Sequence, residues 1–228
     1  MKHLNMDYCI ATVFQPKWKD CIKTWWLTET AEHPMRLAQN MGVVDAYQWC
    51  FERSDADVLA FLHDDVIISE FGWDKRVLKE FEDPTVGLVG FFGAKAHGDP
   101  EMYKKPYQLS QLGRSGCLSN MVDAEHHGQR FTGETDVAVL DAFSMFVRRE
   151  VLEKAGGWPV NTPVDYISPD YWISCMTRRL GYRIRVVGVA CQHLSGGSNG
   201  RNVKPIDFEG AHRYIYETFK DCLPARVP

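Results

Sequence analysis

Asp57-Val58-Leu59-Ala60-Phe61-Leu62-His63-Asp64-Asp65 is the stretch that decides how this chain is read. Its five successive apolar residues lack alternation, the pattern of a central strand buried on both faces. The run stops abruptly at two carboxylates. In open α/β sheets, ligands bind beyond the carboxyl ends of the strands. Asp64 and Asp65 therefore stand where a site is expected. Adjacent carboxylates repel unless a cation or hydrogen-bond donors compensate them. An oxygen-rich site with a histidine beside it suits Mg2+ or Mn2+, ions that can bridge to a diphosphate. A polar strand end whose acids cap the next turn is the plainer alternative, and these nine residues alone leave both open.

Working outward, the pattern predicts strands over 8–14, 86–92, 137–147 and 183–189. Between them it predicts helices over 18–28, 36–52, 72–82, 149–155 and 170–180, with an amphipathic closing helix over 208–219. Strands alternating with helices imply α/β layers. Residues 94–136 are polar and show few periodic apolar positions, the mark of a functional loop, lid or binding segment. Lys95, Lys104, Lys105, Arg114 and Arg130 give that segment a basic flavour, and solvated loop charges explain them equally well.

Composition narrows the function classes. The 228 residues carry 26 Lys and Arg against 30 Asp and Glu, a formal charge of −4. A nucleic-acid binder usually shows a basic surplus, so that class is disfavoured. No apolar run approaches the ~20 residues that span a bilayer. The first residues lack the apolar core of a signal peptide. The seven cysteines are odd in number and form no Cys-x-x-Cys pair. Together these features predict a reduced, cytoplasmic protein with buried thiols and one domain of ordinary size.

Three further positions bear on chemistry, each with a plain reading beside the functional one. Asp170 opens a helix after Ser168-Pro169, as an acid that suits the helix dipole or as a general base for an acceptor hydroxyl. His193 follows a strand in Cys191-Gln192-His193-Leu194-Ser195-Gly196-Gly197, as a structural histidine or a ligand. Trp158 follows Gly156-Gly157, as a core residue or a stacking face for a sugar. The pair His126-His127 reads by default as solvated loop.

In order along the chain, these pieces resemble the family 2 glycosyltransferases of the GT-A fold, over roughly residues 7–197. Four segments carry the resemblance. Ala38-Gln39-Asn40-Met41-Gly42 is similar to the family's Asn-x-Gly element. Val58 to Val66 is similar to its DXD-type strand. Leu140 to Val151, followed by Gly156-Gly157-Trp158, is similar to its acceptor-side strand, helix and turn. Asp170, with Arg178-Arg179-Leu180-Gly181-Tyr182-Arg183, is similar to the segment holding the catalytic acid.

The resemblance implies a GT-A, Rossmann-like α/β fold with a mixed, mostly parallel sheet flanked by helices. It divides the single domain into a nucleotide-sugar half (1–93), a variable acceptor or lid segment (94–136), an acceptor and catalytic half (137–197) and a C-terminal tail and helix (198–228). It implies a metal-dependent, inverting transfer of a sugar from a nucleoside-diphosphate sugar, a UDP-sugar first, to an acceptor hydroxyl. Asp65 and His193 would hold a Mn2+ or Mg2+ ion, and Asp170 would be the base. Thr12, Phe14, Gln39, Asn40, His63 and Asp64 would border the donor, and Asp141 and Trp158 the acceptor. The acceptor itself stays open among glycan, lipid, protein and modified nucleic-acid base.

Three departures from the family pattern stand out. His63 occupies the first DXD position. Pro169 replaces the usual Glu before the base. No second strand carrying a nucleotide-contacting acid is evident before Asn40. The last two keep a different class in play, a non-catalytic sugar-nucleotide or glycan-binding module on a degenerate scaffold. A nucleotidyltransferase ranks lower, because Gln15-Pro16-Lys17-Trp18 stands where those enzymes carry a Gly-rich phosphate loop.

Overall fold

The computed structural model describes residues 4–12, 18–98, 116–122, 128–164, 168–194 and 207–228. The quoted stretch is strand β3 (Val58–Leu62), and all five of its residues are buried. It lies inside a seven-stranded sheet, between β1 (Met6–Thr12) and β12 (Ser144–Arg148). β2 (Met35–Gln39) forms one edge beyond β1. On the other side follow β5 (Val86–Gly90), β13 (Arg183–Val187) and β10 (Glu134–Asp136). β2, β3, β5 and β13 run with β1, whereas β12 and β10 run against it. The sheet is therefore mixed with a parallel majority, and helices flank it.

Helices α1 (Trp18–Thr28) and α2 (Val43–Arg53) connect β1 to β2 and β2 back to β3. The two crossovers travel in opposite directions along the sheet. Right-handed connections then put their helices on opposite faces. The side chains of β1 agree, since successive residues of a strand point to opposite faces. Tyr8 packs against Trp25 of α1 and against Trp73, which opens α3 (Trp73–Glu80). Cys9, its neighbour, faces Cys50 of α2. The chain leaves β1 toward both sides, so the topological switch point lies between β1 and β3. That is where a ligand crevice is expected in such sheets.

Several expectations need correction. Residues 36–52 are not one helix. Met35–Gln39 pairs in parallel with β1, and α2 begins only at Val43. The break between them is Asn40, held at φ +58°, followed by Gly42. Asparagine tolerates this left-handed conformation better than most residues do. The second strand that seemed missing is therefore present as an exposed edge. Residues 137–147 divide into β11 (Val139–Leu140) and β12, with a bend at Asp141–Phe143. The described part of 94–136 is not plain loop either. β6 (Phe92–Ala94), β8 (Cys117–Ser119) and β9 (Gln129–Arg130) join β11 in a second, four-stranded sheet. Lys104, Lys105, Arg114 and the His126-His127 pair lie outside the described residues.

Two short pairings complete the frame. β4 (Val66–Ile68) pairs antiparallel with β14 (Cys191–His193), and β7 (Ala96–His97) with β15 (Ala225–Arg226). Helices α4 (Arg149–Ala155), α5 (Pro169–Arg179) and α6 (Phe208–Phe219) follow the predicted positions within two residues. Among the described residues, no helix is long and apolar enough to cross a membrane.

Trp158 belongs to this core and offers no face to a sugar. It is 3% exposed, and its ring packs against Phe61 at 4.9 Å, Tyr47 at 5.2 Å and Trp172 at 6.0 Å. The turn before it explains the inward placement. Gly157 sits at φ +97° with the Gln48 side chain where a Cβ would stand, and Gln48 accepts the Trp158 N–H at 2.8 Å. Trp158→Ala should cost about 3–5 kcal/mol in denaturant unfolding, as large aromatic deletions from cores do. A stability close to wild type would show that the ring is not a core element.

Asp74, also nearly fully buried, ties α3 to the segment after α1. Its Oδ2 accepts the Thr30 N–H at 2.8 Å, the Thr30 hydroxyl at 2.7 Å and the Ala31 N–H at 3.2 Å, with His33 Nε2 at 3.3 Å. Burial alone would raise this carboxyl, but the His33 and Thr30 bonds outweigh it and bring it down to about 2. A depressed carboxyl stabilises the fold fully above its unfolded value, and the contribution fades as pH falls through the folded one. Asp74→Asn should therefore cost about 1–2 kcal/mol at pH 7. The gap between variant and wild type should close between about pH 4 and pH 2, read from urea unfolding across that range. A gap that does not depend on pH would contradict the assignment.

Candidate functional site

The carboxyl ends of β1, β2 and β3 meet at the switch point, and the two acids after β3 take different partners there. The Thr12 hydroxyl, at the end of β1, donates to Asp64 Oδ2 in a short hydrogen bond. The Asn40 N–H donates to the Thr12 carbonyl at 3.3 Å, and Gln39 stands opposite Thr12 in the parallel register. Gln39 and Asn40 are exposed. Thr12, Gln39, Asn40 and Asp64, expected around a donor, are thus gathered at the same end of the sheet. Phe14 lies outside the described residues.

Asp65 faces the other way. β14 lays His193 beside Val66, and the Leu194 N–H donates to the Asp65 carbonyl at 3.0 Å. His193 Nε2 then lies 3.2 Å from Asp65 Oδ1 and 3.3 Å from His63 Nδ1. His63 is fixed in turn by its N–H, which donates to the Phe143 carbonyl at 3.0 Å, and the Phe143 ring stacks on His193 at 4.9 Å. Ligand atoms of His63, Asp65 and His193 all lie within 4.8 Å of one another. His63, expected to touch the donor, therefore lies with Asp65 and His193 in a group that could hold a metal ion. Its two-residue spacing from Asp65 at a strand end was the signal for this.

The electrostatics fit a cation. Asp65 Oδ1 is buried with no aligned hydrogen bond. Burial would raise the Asp65 carboxyl, but His193 and His63 outweigh it and hold it low. Burial pushes His63 down to about 4, and His193 adds to the effect. His193 is raised, because Asp65 overcomes the desolvation of its ring. The Asp65 carboxylate and the His193 and His63 imidazoles thus offer three ligand atoms, close together, that a cation would satisfy. Two nitrogens and one oxygen suit Mn2+ and later transition metals better than Mg2+, which prefers oxygen ligands and retained water.

Asp141 and Asp170 lie near this cluster. Asp141 sits in the bend between β11 and β12, where its Oδ1 accepts the Phe143 N–H at 3.1 Å. Its N–H donates to the Phe92 carbonyl at 3.0 Å, which ties the bend to the second sheet. Its charge reaches His63, His193 and Asp170 alike. Asp170, 7% exposed, stands at the N-terminus of α5. Burial, and then the charge of Asp141, raise its carboxyl well above the usual range, against bonds from the N–H groups of Tyr171 and Ala142. A carboxyl raised in this way comes closer to the proton affinity a general base needs at neutral pH. The paired acid usual in the family is absent here, and Asp141 supplies a second carboxylate from another element.

The chain matches the model of the Glycosyltransferase like family over residues 29–188, more than two thirds of its 228 residues. No curated protein sequence matches it. Among solved structures it is similar to the mannosyltransferase PcManGT from Pyrobaculum calidifontis in complex with GDP-Man and Mn2+. That likeness has a TM-score of 0.57 at 13% identity and covers 94% of this chain and 70% of that one. Similarity to GalNAc-T7 with UDP, GalNAc and Mn2+ has a TM-score of 0.61 at 11% identity, over 96% of this chain and 49% of that one. Similarity to residues 1–349 of S. aureus TarS with UDP-GlcNAc has a TM-score of 0.57 at 12% identity, over 99% of this chain and 68% of that one. The GT-A sheet and the extent of the family match lead to one conclusion: the chain belongs to the glycosyltransferase-like family.

Proposed function

We propose that this chain is a metal-dependent, inverting glycosyltransferase that moves a sugar from a nucleoside-diphosphate sugar to an acceptor hydroxyl. The observation that carries the proposal is the His63–Asp65–His193 cluster at the switch point, with Asp141 and Asp170 beside it. The donor nucleotide would lie along the ends of β1 and β2, at Thr12, Gln39 and Asn40. Asp64, fixed by Thr12, would face its ribose. His63, Asp65 and His193 would hold Mn2+, which would neutralise charge on the departing diphosphate. Asp170 would take the acceptor proton, and Asp141 would help to orient the acceptor. A base on the face of the sugar opposite the leaving group gives inversion in a single displacement. A UDP-sugar is the first donor to try, since two of the three similar structures contain UDP or a UDP-sugar. Six of the seven thiols are buried and none is in a disulfide, which fits a reducing compartment such as the cytoplasm.

A non-catalytic donor-binding module remains the second reading, favoured by Pro169 in place of a second acid. Donor binding by calorimetry with no product and no donor hydrolysis would favour it over the enzyme.

Calorimetry should show one Mn2+ per chain, bound more tightly than Mg2+. Asp65→Ala and His193→Ala should weaken it at least about 10–100-fold, and EDTA should abolish turnover. His63→Asp, which restores an all-acid motif, should shift the preference toward Mg2+. Unchanged Mn2+ affinity in His63→Ala would remove His63 from the ligand set.

With UDP-, GDP-, dTDP- and CMP-sugars in Mn2+, one nucleotide should raise Tm and turn over. Asp170→Asn should retain that donor's binding and lose at least about 100-fold in kcat, the scale of general-base catalysis. Wild-type turnover in Asp170→Asn would end its assignment as the base.

A further inference from the structure

The family match ends at residue 188, yet the last described segment, 207–228, grips the helix that carries Asp170. α6 packs beside α5 and holds it at both ends. At the N-terminal end, His212 Nε2 lies 2.7 Å from the Ser168 hydroxyl, and the His212 ring stacks on Tyr171 at 5.2 Å. At the C-terminal end, Arg179 donates to the Thr218 carbonyl and to Asp221, and its guanidinium lies 4.3 Å from the Phe219 ring centre. Ser168 to Arg179 spans about 16 Å of helix, and His212 to Asp221 about 14 Å. Similar spans, joined toward the N-terminus at one end and toward the C-terminus at the other, make the two helices run parallel.

The N-terminal contact falls on a strained residue. Ser168, the N-cap of α5, sits at φ +61° and makes no side-chain capping bond to the helix. A non-glycine residue in this region is strained and persists only where its surroundings hold it. Its hydroxyl is turned to His212 instead of the helix. Tyr171 is held from the other side by His97, whose ring meets it at 4.7 Å. His97 belongs to β7, which pairs with β15 of the same C-terminal segment. The residue between Ser168-Pro169 and Tyr171 is Asp170.

We propose that His212 is a positioning residue for Asp170: it holds Ser168 in its left-handed conformation and so fixes where the carboxylate stands. This rests on the reading of Asp170 as the base. A displacement of about 1 Å in a reacting group can cost on the order of 100-fold in rate, so a clamp on this turn has a kinetic signature. The C-terminal segment is then part of the working enzyme, although it lies outside the family match.

The test uses the full chain with Ser168→Ala, His212→Ala and His212→Gln, and Glu217→Ala, an exposed position on α6, as the control. Hydrogen exchange at residues 170–172 is compared with exchange in β3. Hydrolysis of UDP-GlcNAc and of GDP-mannose in Mn2+ gives kcat and KM. Ser168→Ala and His212→Ala should raise exchange at 170–172 at least about 10-fold with β3 unchanged. They should lower kcat roughly 10–100-fold with donor KM within about two-fold. His212→Gln, which can still hydrogen-bond Ser168, should recover most of both. Ser168→Ala removes only a hydroxyl and keeps the test valid if the buried His212 tolerates no truncation. Unchanged exchange at 170–172 in Ser168→Ala overturns the inference, whatever the turnover. So does exchange that rises equally in β3, or a loss that appears in KM rather than kcat. If Asp170→Asn turns over at the wild-type rate while the clamp variants still loosen the turn, the base reading fails and the clamp is only structural.

Discussion

A strand buried on both faces has to return to polar surroundings somewhere, and the way β3 does so governs the rest of this molecule. Two adjacent carboxylates emerge from the sheet at one point. Left together they would repel in a poorly solvated crevice. The fold separates their roles by giving each its own partner. Burial and the charge of Asp65 raise Asp64, while the hydroxyl of Thr12 on the neighbouring strand partly offsets both. Asp65 is pulled down by two imidazoles brought in from β14 and from the end of β3 itself. Neighbouring groups whose environments push them apart are a common sign of a working site. The crossed connections around β1 put this pair at the switch point, where a nucleotide would have both sheet ends to lie against.

The sequence made β3 and its terminus legible because burial on both faces leaves a run without alternation, and such runs are rare outside cores. The edge strand β2 was not legible for the opposite reason. Met35-Arg36-Leu37-Ala38-Gln39 is only partly buried, and its apolar positions merge with those of α2 when read at helical spacing. Only the left-handed Asn40 separates the two elements, and backbone dihedrals leave no periodic trace. The second sheet was hidden in a similar way. Its strands are two or three residues long, too short to display a period.

Of the site, the acids were legible and the imidazoles half so. Asp65, His193 and Asp170 were singled out from motif positions, and the fold brings Asp65 and His193 together. His63 was assigned to the donor because its motif position usually belongs there, whereas the fold turns its ring toward His193 through the backbone bond to Phe143. His212 left no signal as part of the site at all. An amphipathic helix announces which face it buries, not which buried residue meets a strained turn 44 positions earlier.

The buried Trp158 shows how the two sides of the sheet end are packed together. Trp158 touches Phe61 on the strand that ends at the metal-ligand cluster and Trp172 on the helix that begins at Asp170. Trp172 in turn meets Phe219 of α6 at 6.4 Å. A continuous line of rings thus runs from β3 through α5 to α6. Close-packed aromatic rings transmit strain because they cannot compress. This packing couples the strand that ends at His63, Asp64 and Asp65 to the helix that carries Asp170. A Gly-Gly-aromatic turn that looks like a surface for sugar serves here as a core contact between those two elements.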